Sequence, residues 1–232
     1  LFPGVNRATI ALLVRAGYRV LVPQAEVCCG AILAHLGRDQ ESKSLARRNV
    51  NVFTRAGVDF VVTNAAGCGA HLRDYGRHLA GDAAFAEAAA GIAGKVRDVT
   101  EVLAAAGLPP PTTEVRARVA YHDACHLVHG QGVRAEPRAL LRSIPGLELV
   151  EIAESEICCG SAGTYNLTEP EMAWRLAERK TRNVLATAPD MVAAGNPGCI
   201  LQIRAGLRLA GREIPVVHPV ELLARAHGLS SS

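Results

Sequence analysis

The chain has very little of several features that mark the commoner function classes. Of its 232 residues only 4% are aromatic, and 25 basic against 22 acidic residues leave a formal charge of just +3. The arginines are scattered, without a basic block or interleaved aromatics, so the electrostatic and stacking footprint of a nucleic-acid binder is missing. No apolar run approaches the roughly 20 residues that a membrane span needs. No basic n-region opens the chain, so a secretory leader is not expected. No G-x-G-x-x-G stands between a strand and a helix, and there is no nucleophile elbow or Ser-His-Asp set. Dinucleotide binding and the usual acyl-transfer chemistry therefore have no motif to rest on. What remains is an ordinary globular composition, 49% hydrophobic and 20% charged, with enough length for an ample core.

What is present is cysteine. The seven are Cys28, Cys29, Cys68, Cys125, Cys158, Cys159 and Cys199. An odd count with two vicinal pairs makes a poor disulfide framework, because vicinal bridges are strained. Reduced thiols in a cytoplasmic setting are the expectation, and clustered reduced thiols read as metal ligands.

An internal repeat organises them. Cys28-Cys29-Gly30 returns as Cys158-Cys159-Gly160, an offset of 130, and Ala66-Gly67-Cys68 is echoed by Pro197-Gly198-Cys199, an offset of 131. An asparagine precedes each single cysteine, Asn64 and Asn196. Two landmarks in register over half the chain indicate duplication, with modules expected at 1–111 and 112–232 and the linker at Pro109–Glu114.

Hydrophobic patterning predicts helices over 6–17 and 39–56, the latter stopped by Gly57, and another reaching about 187 from a capping box at Thr168–Glu171. Strands are predicted at Tyr18–Pro23, 59–64, 116–122, Leu147–Ile152, 191–196 and 214–219, with a last helix following. Alternation of strand and helix predicts an α/β fold of two tandem, pseudo-repeated βαβ modules with mostly parallel sheets. Ligands gather at the carboxyl ends of such strands, and every cysteine is expected in a loop just after one. Met172 and Trp174, at helical spacing, are expected in the core. His218 is expected to end a strand, and His35, His71, His78 and His227 to have no shared role.

In the second module 32 residues separate Cys125 from Cys158, and 39 separate Cys159 from Cys199. Four thiolates from three segments satisfy a [4Fe–4S] cluster or a tetrahedral zinc. Structural zinc usually takes compact C-x(2–4)-C knuckles, which are absent, and adjacent cysteines reach different irons of a cluster more easily than one ion. The first module offers Cys28, Cys29 and Cys68. The counterpart of Cys125 would fall at 125 − 130 = −5, outside the sequence, so a second cluster there is left open. His122, Asp123, His126 and His129 surround Cys125, where hydrogen bonding to cluster sulfur is the expected role and proton donation the alternative. Glycines beside the cysteines suit close backbone approach to an anionic centre.

The strings CCGAILAHLG (28–37), NAAGCGAHLRDYG (64–76), YHDACHLVHGQGVR (121–134), CCGSAGTYNLTEPEMA (158–173) and GNPGCILQI (195–203) resemble the CCG domain. That domain occurs in heterodisulfide reductases, in lactate-utilisation iron–sulfur proteins and in glycolate oxidase iron–sulfur subunits, and the likeness to the last group is the most detailed. The resemblance spans the whole chain as two modules and implies cluster ligation by Cys125, Cys158, Cys159 and Cys199. The family's Cys-x-x-Cys is incomplete here, with Ala65 and Asn196 in its first position, which favours an ordinary cubane over the reductase's noncubane cluster. Ferredoxin-type motifs that precede these modules in related subunits are absent, and the chain opens at Leu1 inside a patterned segment, as expected of a C-terminal fragment. By resemblance the protein is the non-flavin, electron-carrying subunit of a glycolate dehydrogenase or oxidase. Its implied partners are flavin-containing subunits and a quinone or other membrane-linked acceptor, reached from the cytoplasmic face of the inner membrane. The alternative is a CCG electron carrier of lactate utilisation or of a heterodisulfide-reductase-like complex.

Overall fold

The computed structural model describes residues 2–229. Its first half runs α1 (Pro3–Arg15), α2 (Ala31–His35), α3 (Asp39–Ala56), β1 (Val61–Thr63), α4 (Ala66–Arg73), α5 (Tyr75–His78), α6 (Ala86–Lys95), β2 (Val96–Asp98) and α7 (Val99–Ala105). The second runs β3 (Ala117–His122), α8 (Cys125–Gln131), α9 (Ala135–Arg142), β4 (Leu147–Glu151), α10 (Tyr165–Thr168), α11 (Pro170–Leu185), β5 (Met191–Ala194), α12 (Pro197–Leu209), β6 (Val216–Val217) and α13 (Pro219–Ala226). Both sheets are wholly parallel: β1–β2 in the first half and β4–β3–β5–β6 in the second. The fold is α/β with two repeated modules. Among the described residues no helix is long and apolar enough to cross a membrane.

The central strands β3 and β5 are buried along almost their whole length, as parallel strands covered on both faces must be. One core cluster joins the halves. Leu12 of α1 and Leu103 of α7 pack with Val119 and Tyr121 of β3, Leu141 of α9 and Leu223 of α13.

Two expectations fail instructively. Tyr18–Pro23 is not a strand, although its apolar run reads as one; Leu21 and Val22 are exposed. Subtracting the repeat offset from β4 gives 17–21, which is this segment. A strand exists by pairing, and between Tyr18–Pro23 and β1 lies instead a groove of about 780 Å³ that reaches Cys28, Cys29 and Cys68.

The other failure concerns caps. Thr168 closes the one-turn helix α10, and Pro170 opens α11 without a side-chain cap. The real capping boxes are Asp98 with Glu101 on α7 and His218 with Glu221 on α13. The strand before His218 is only Val216–Val217, pinched between Pro215 and Pro219. Met172 and Trp174 lie on the exposed side of α11, whose buried face is Ala173, Ala177, Lys180, Thr181 and Val184.

His218 makes the fold sensitive to acid. Its Nδ1 accepts from the Val220 N–H at 3.2 Å, and burial lowers its pKa from 6.5 to about 4. Between those values the unfolded chain binds the proton and the folded chain refuses it, so this group's contribution to stability falls as pH drops from 6.5 to 4. At 1.36 kcal/mol per unit, a difference of 2.5 units is at most about 3 kcal/mol. His218→Asn keeps a good cap, and denaturant melts at pH 7 and pH 4.5 should show a shallower acid loss than the parent. An unchanged loss would contradict the assignment.

Candidate metal centre

The single cysteines are not in loops, as expected, but in the first turns of helices that follow strands. Cys125 is the first residue of α8 after β3, while Cys68 and Cys199 occupy the third position of α4 and α12, after β1 and β5. A helix amino end carries partial positive charge and free N–H groups, which favour a thiolate. The vicinal pairs do lie in loops, and each ends on a glycine with left-handed φ, +89° at Gly30 and +94° at Gly160. Cys158 and Cys159 follow β4, whereas Cys28 and Cys29 follow the unpaired Tyr18–Pro23 segment.

The four cysteines of the second half come together as a chain of neighbours. Cys125 neighbours Cys158, Cys158 neighbours Cys159, and Cys159 neighbours Cys199, each close enough to shift the ionisation of the next. The approach of Cys125, then of Cys159, lowers the Cys158 thiol, and the approach of Cys159 lowers that of Cys199. Cys125 and Cys159 are pushed up correspondingly, first by these same partners and then by burial. Four thiolates this close cannot all ionise together without a cation beside them. A multiply charged metal centre removes that conflict.

Donors ring these sulfurs. Gly160 N–H donates to Cys158 Sγ at 3.3 Å, Asn196 Nδ2 stands 3.6 Å from Cys199 Sγ, and His126 Nδ1 lies 3.5 Å from Cys125 Sγ. Among the described residues, His122, Cys159 and Cys199 form a group whose ligand atoms all lie within 4.8 Å of one another, and all three are buried. The donor set, soft thiolates with a buried imidazole, fits an iron–sulfur cluster.

Arg138 and Lys180 tie the polar frame around the site. Arg138 holds Asp123 through two bonds of 2.8 and 2.6 Å, reaches Glu151 at 2.9 Å, and lies 5.0 Å over the Tyr121 ring, which fixes the turn from β3 into Cys125. Lys180 is 2% exposed. Its Nζ donates to the Glu154 and Ser155 carbonyls at 2.6 and 3.1 Å, in the segment leading to Cys158. Burial lowers its pKa while the nearby Cys159 and Cys199 raise it. Sequence reasoning missed this lysine. Its only trace there is a charge on the otherwise apolar stripe Ala173, Ala177, Val184.

The first half is less complete. Cys29 and Cys68 are neighbours, which raises the Cys29 thiol and lowers that of Cys68, and Cys28 is exposed. Asn49 binds the Val27 N–H at 2.9 Å and carbonyl at 3.1 Å, and Tyr75 Oη donates to the Cys29 carbonyl at 2.8 Å, so the loop is clamped. His71 and His78 are not isolated, as expected, but converge on buried Ser42 at 3.4 and 3.0 Å, and burial then the charge of His78 lower His71 to about 4. The two cysteine regions also adjoin. Ala66 N–H donates to the Gly195 carbonyl and Gly67 N–H to Asn196 Oδ1, both at 3.1 Å, and the His35 and His126 rings meet edge to face at 5.9 Å.

This duplicated arrangement is matched by the cysteine-rich CCG domain, once over residues 1–73 and again over 119–204. The chain belongs to the CCG domain family. Among its relatives, the probable glycolate oxidase iron–sulfur subunit of Bacillus subtilis (strain 168) is 37% identical over 236 residues, covering 100% of this chain and 53% of that protein. The glycolate oxidase iron–sulfur subunit of Escherichia coli (strain K12) is 32% identical, covering 97% and 55%. Lactate utilization protein A of Oceanobacillus iheyensis is 30% identical, covering 96% and 91%. The chain therefore spans about half the length of the glycolate oxidase subunits and nearly all of the lactate protein. Family membership and the names of these relatives support an iron–sulfur centre in an oxidoreductase assembly.

Proposed function

We propose that this CCG chain is an iron–sulfur electron-transfer unit of a glycolate-oxidising complex, its non-flavin part. The observation that carries the reading is the run of four neighbouring sulfurs at the carboxyl ends of parallel strands, Cys159 and Cys199 buried and Cys125 and Cys158 half-buried. These four would hold a [4Fe–4S] cluster in the second module, 112–232. Cys28, Cys29 and Cys68 are the residues that would hold any second centre in the first module, 1–111.

A cluster bound there supplies one-electron redox chemistry. The chain's own residues do the rest: Arg138 and Lys180 fix the ligand loops, the core excludes water, and N–H donors face the sulfurs. Flavin-bearing partner subunits would take two electrons and two protons from glycolate as it becomes glyoxylate. This chain would accept the electrons singly and pass them to a quinone or other membrane-linked acceptor at the cytoplasmic face. No residue of the chain needs to touch glycolate.

A second reading, an electron carrier of lactate utilisation, is favoured by the near-complete coverage of the lactate protein. Affinity purification from the native host separates them. Recovery of flavin subunits with glycolate-dependent dye reduction supports the first reading; lactate-dependent reduction with lactate-utilisation partners would replace it by the second.

A further inference from the structure

His122 ends β3 with 0% exposure, among apolar neighbours. Neither its Nδ1 nor its Nε2 has a hydrogen-bond partner. Leaving a buried polar group unmatched is costly, and a leucine or phenylalanine would fill such a site without that cost. The adjacent Asp123 does not serve as its partner, since both its carboxylate oxygens are taken by Arg138. What a ring nitrogen does face is sulfur, with Cys159 and Cys199 Sγ within 4.8 Å. Thiolates accept and do not donate, so the complementary group is an imidazole N–H.

The arrangement also fills a place in the pattern. Cys125 has His126 beside it, Cys158 has the Gly160 N–H, and Cys199 has only the long 3.6 Å approach of Asn196 Nδ2. Asn196 is engaged elsewhere through its Oδ1, which accepts from the Gly67 N–H. The deepest sulfur edge of the site is therefore served from the strand side by His122. Four cysteines already supply one thiolate for each iron of a cubane, so the imidazole is not needed as a ligand.

We propose that His122 is a positioning residue of this centre, donating its ring N–H to the Cys199 thiolate and so holding the cluster's reduction potential up without binding iron itself. A hydrogen bond to a coordinating sulfur offsets the negative charge gained on reduction, which makes the reduced state easier to reach. The inference rests on the cluster reading of the site given above.

The test uses the protein expressed from its complete reading frame, loaded anaerobically, as His122→Leu and His122→Gln. Potentials are read by redox titration followed by electron paramagnetic resonance, and nitrogen coupling by labelling histidine with ¹⁵N. The leucine variant should keep its iron and sulfide but shift the oxidised-to-reduced ratio about tenfold toward oxidised, equivalent to 59 mV for one electron. Glutamine, which retains an N–H, should recover most of that shift. If the leucine variant does not load, a glutamine variant that loads near the parent potential gives the same support. An unmoved potential in a loaded leucine variant overturns the proposal. So does a strong, directly bonded ¹⁵N coupling in the parent, which would make His122 a ligand. A parent protein that carries no cluster is a different result, and counts against the reading of the whole site.

Discussion

Cys199→Ser should strip the second module of its cluster while leaving the fold in place. Cys199 is 3% exposed, sits in the first turn of α12, lies within 4.8 Å of the Cys159 sulfur and is approached by Asn196. Serine is nearly isosteric, so packing survives and far-ultraviolet dichroism should be unchanged. The hydroxyl, however, does not ionise at neutral pH and is a hard, poor partner for iron. Loss of even an outer-shell partner typically lowers metal affinity 10–100-fold, so removal of a thiolate should cost more than about tenfold in retained iron. Cys28→Ser is the comparison: Cys28 is exposed and lies outside the second sulfur chain, so iron in the second module should persist. Equal iron retention in the Cys199 variant and the parent would contradict the ligand assignment.

Gly160→Ala should be the most damaging glycine substitution in the chain. Gly160 holds φ at +94°, and a Cβ there would stand 2.2 Å from the Ala173 carbonyl oxygen, a backbone atom of α11 that cannot swing aside. The left-handed conformation alone costs an L-residue roughly 1–2 kcal/mol. Gly37→Ala isolates that part, because Gly37 has φ +73° and nothing within 4 Å of its missing Cβ. Relieving the clash at Gly160 means pushing α11 from the Cys158–Cys159 loop, so we expect a total loss of about 3–5 kcal/mol, in the range of severe core overpacking and strain. Chemical denaturation of both variants checks this. A Gly160 variant no less stable than the Gly37 variant would show that the loop and α11 are not so tightly joined. The Cys-Cys-Gly signature thus has a mechanical reason at its third position, namely the passage of a helix backbone over the cysteine loop.

Much of this was legible from residue order. The repeat offset of 130 placed both Cys-Cys-Gly loops correctly in equivalent positions, and apolar runs located β3, β4 and β5 to within one or two residues. Helix α3 was readable because its periodicity ends on Gly57, which takes φ +61°. Other features were hidden for physical reasons. Tyr18–Pro23 carries a strand's composition, but pairing is a property of neighbours, and among the described residues a groove lies between it and β1. Cys68 of α4 reads as a loop residue because a helix opening on Ala-Gly-Cys has a weak start signal, whereas Asn196 and Pro197 did mark the start of α12 and went unread. β2 and α7, with the Asp98–Glu101 box, went unseen because a three-residue strand is shorter than any periodicity can register. Lys180 and His122 look like surface charge and a strand end until the fold buries both beside the same sulfurs.

The central claim is that sulfurs from β3, β4 and β5 connections grip one inorganic centre. Anaerobic purification of the complete protein, followed by iron, acid-labile sulfide and zinc analysis with electron paramagnetic resonance before and after reduction, tests it most directly. The account predicts a brown protein with about four irons and four sulfides per occupied site, and a cluster signal that Cys199→Ser removes. Stoichiometric zinc without sulfide would contradict it.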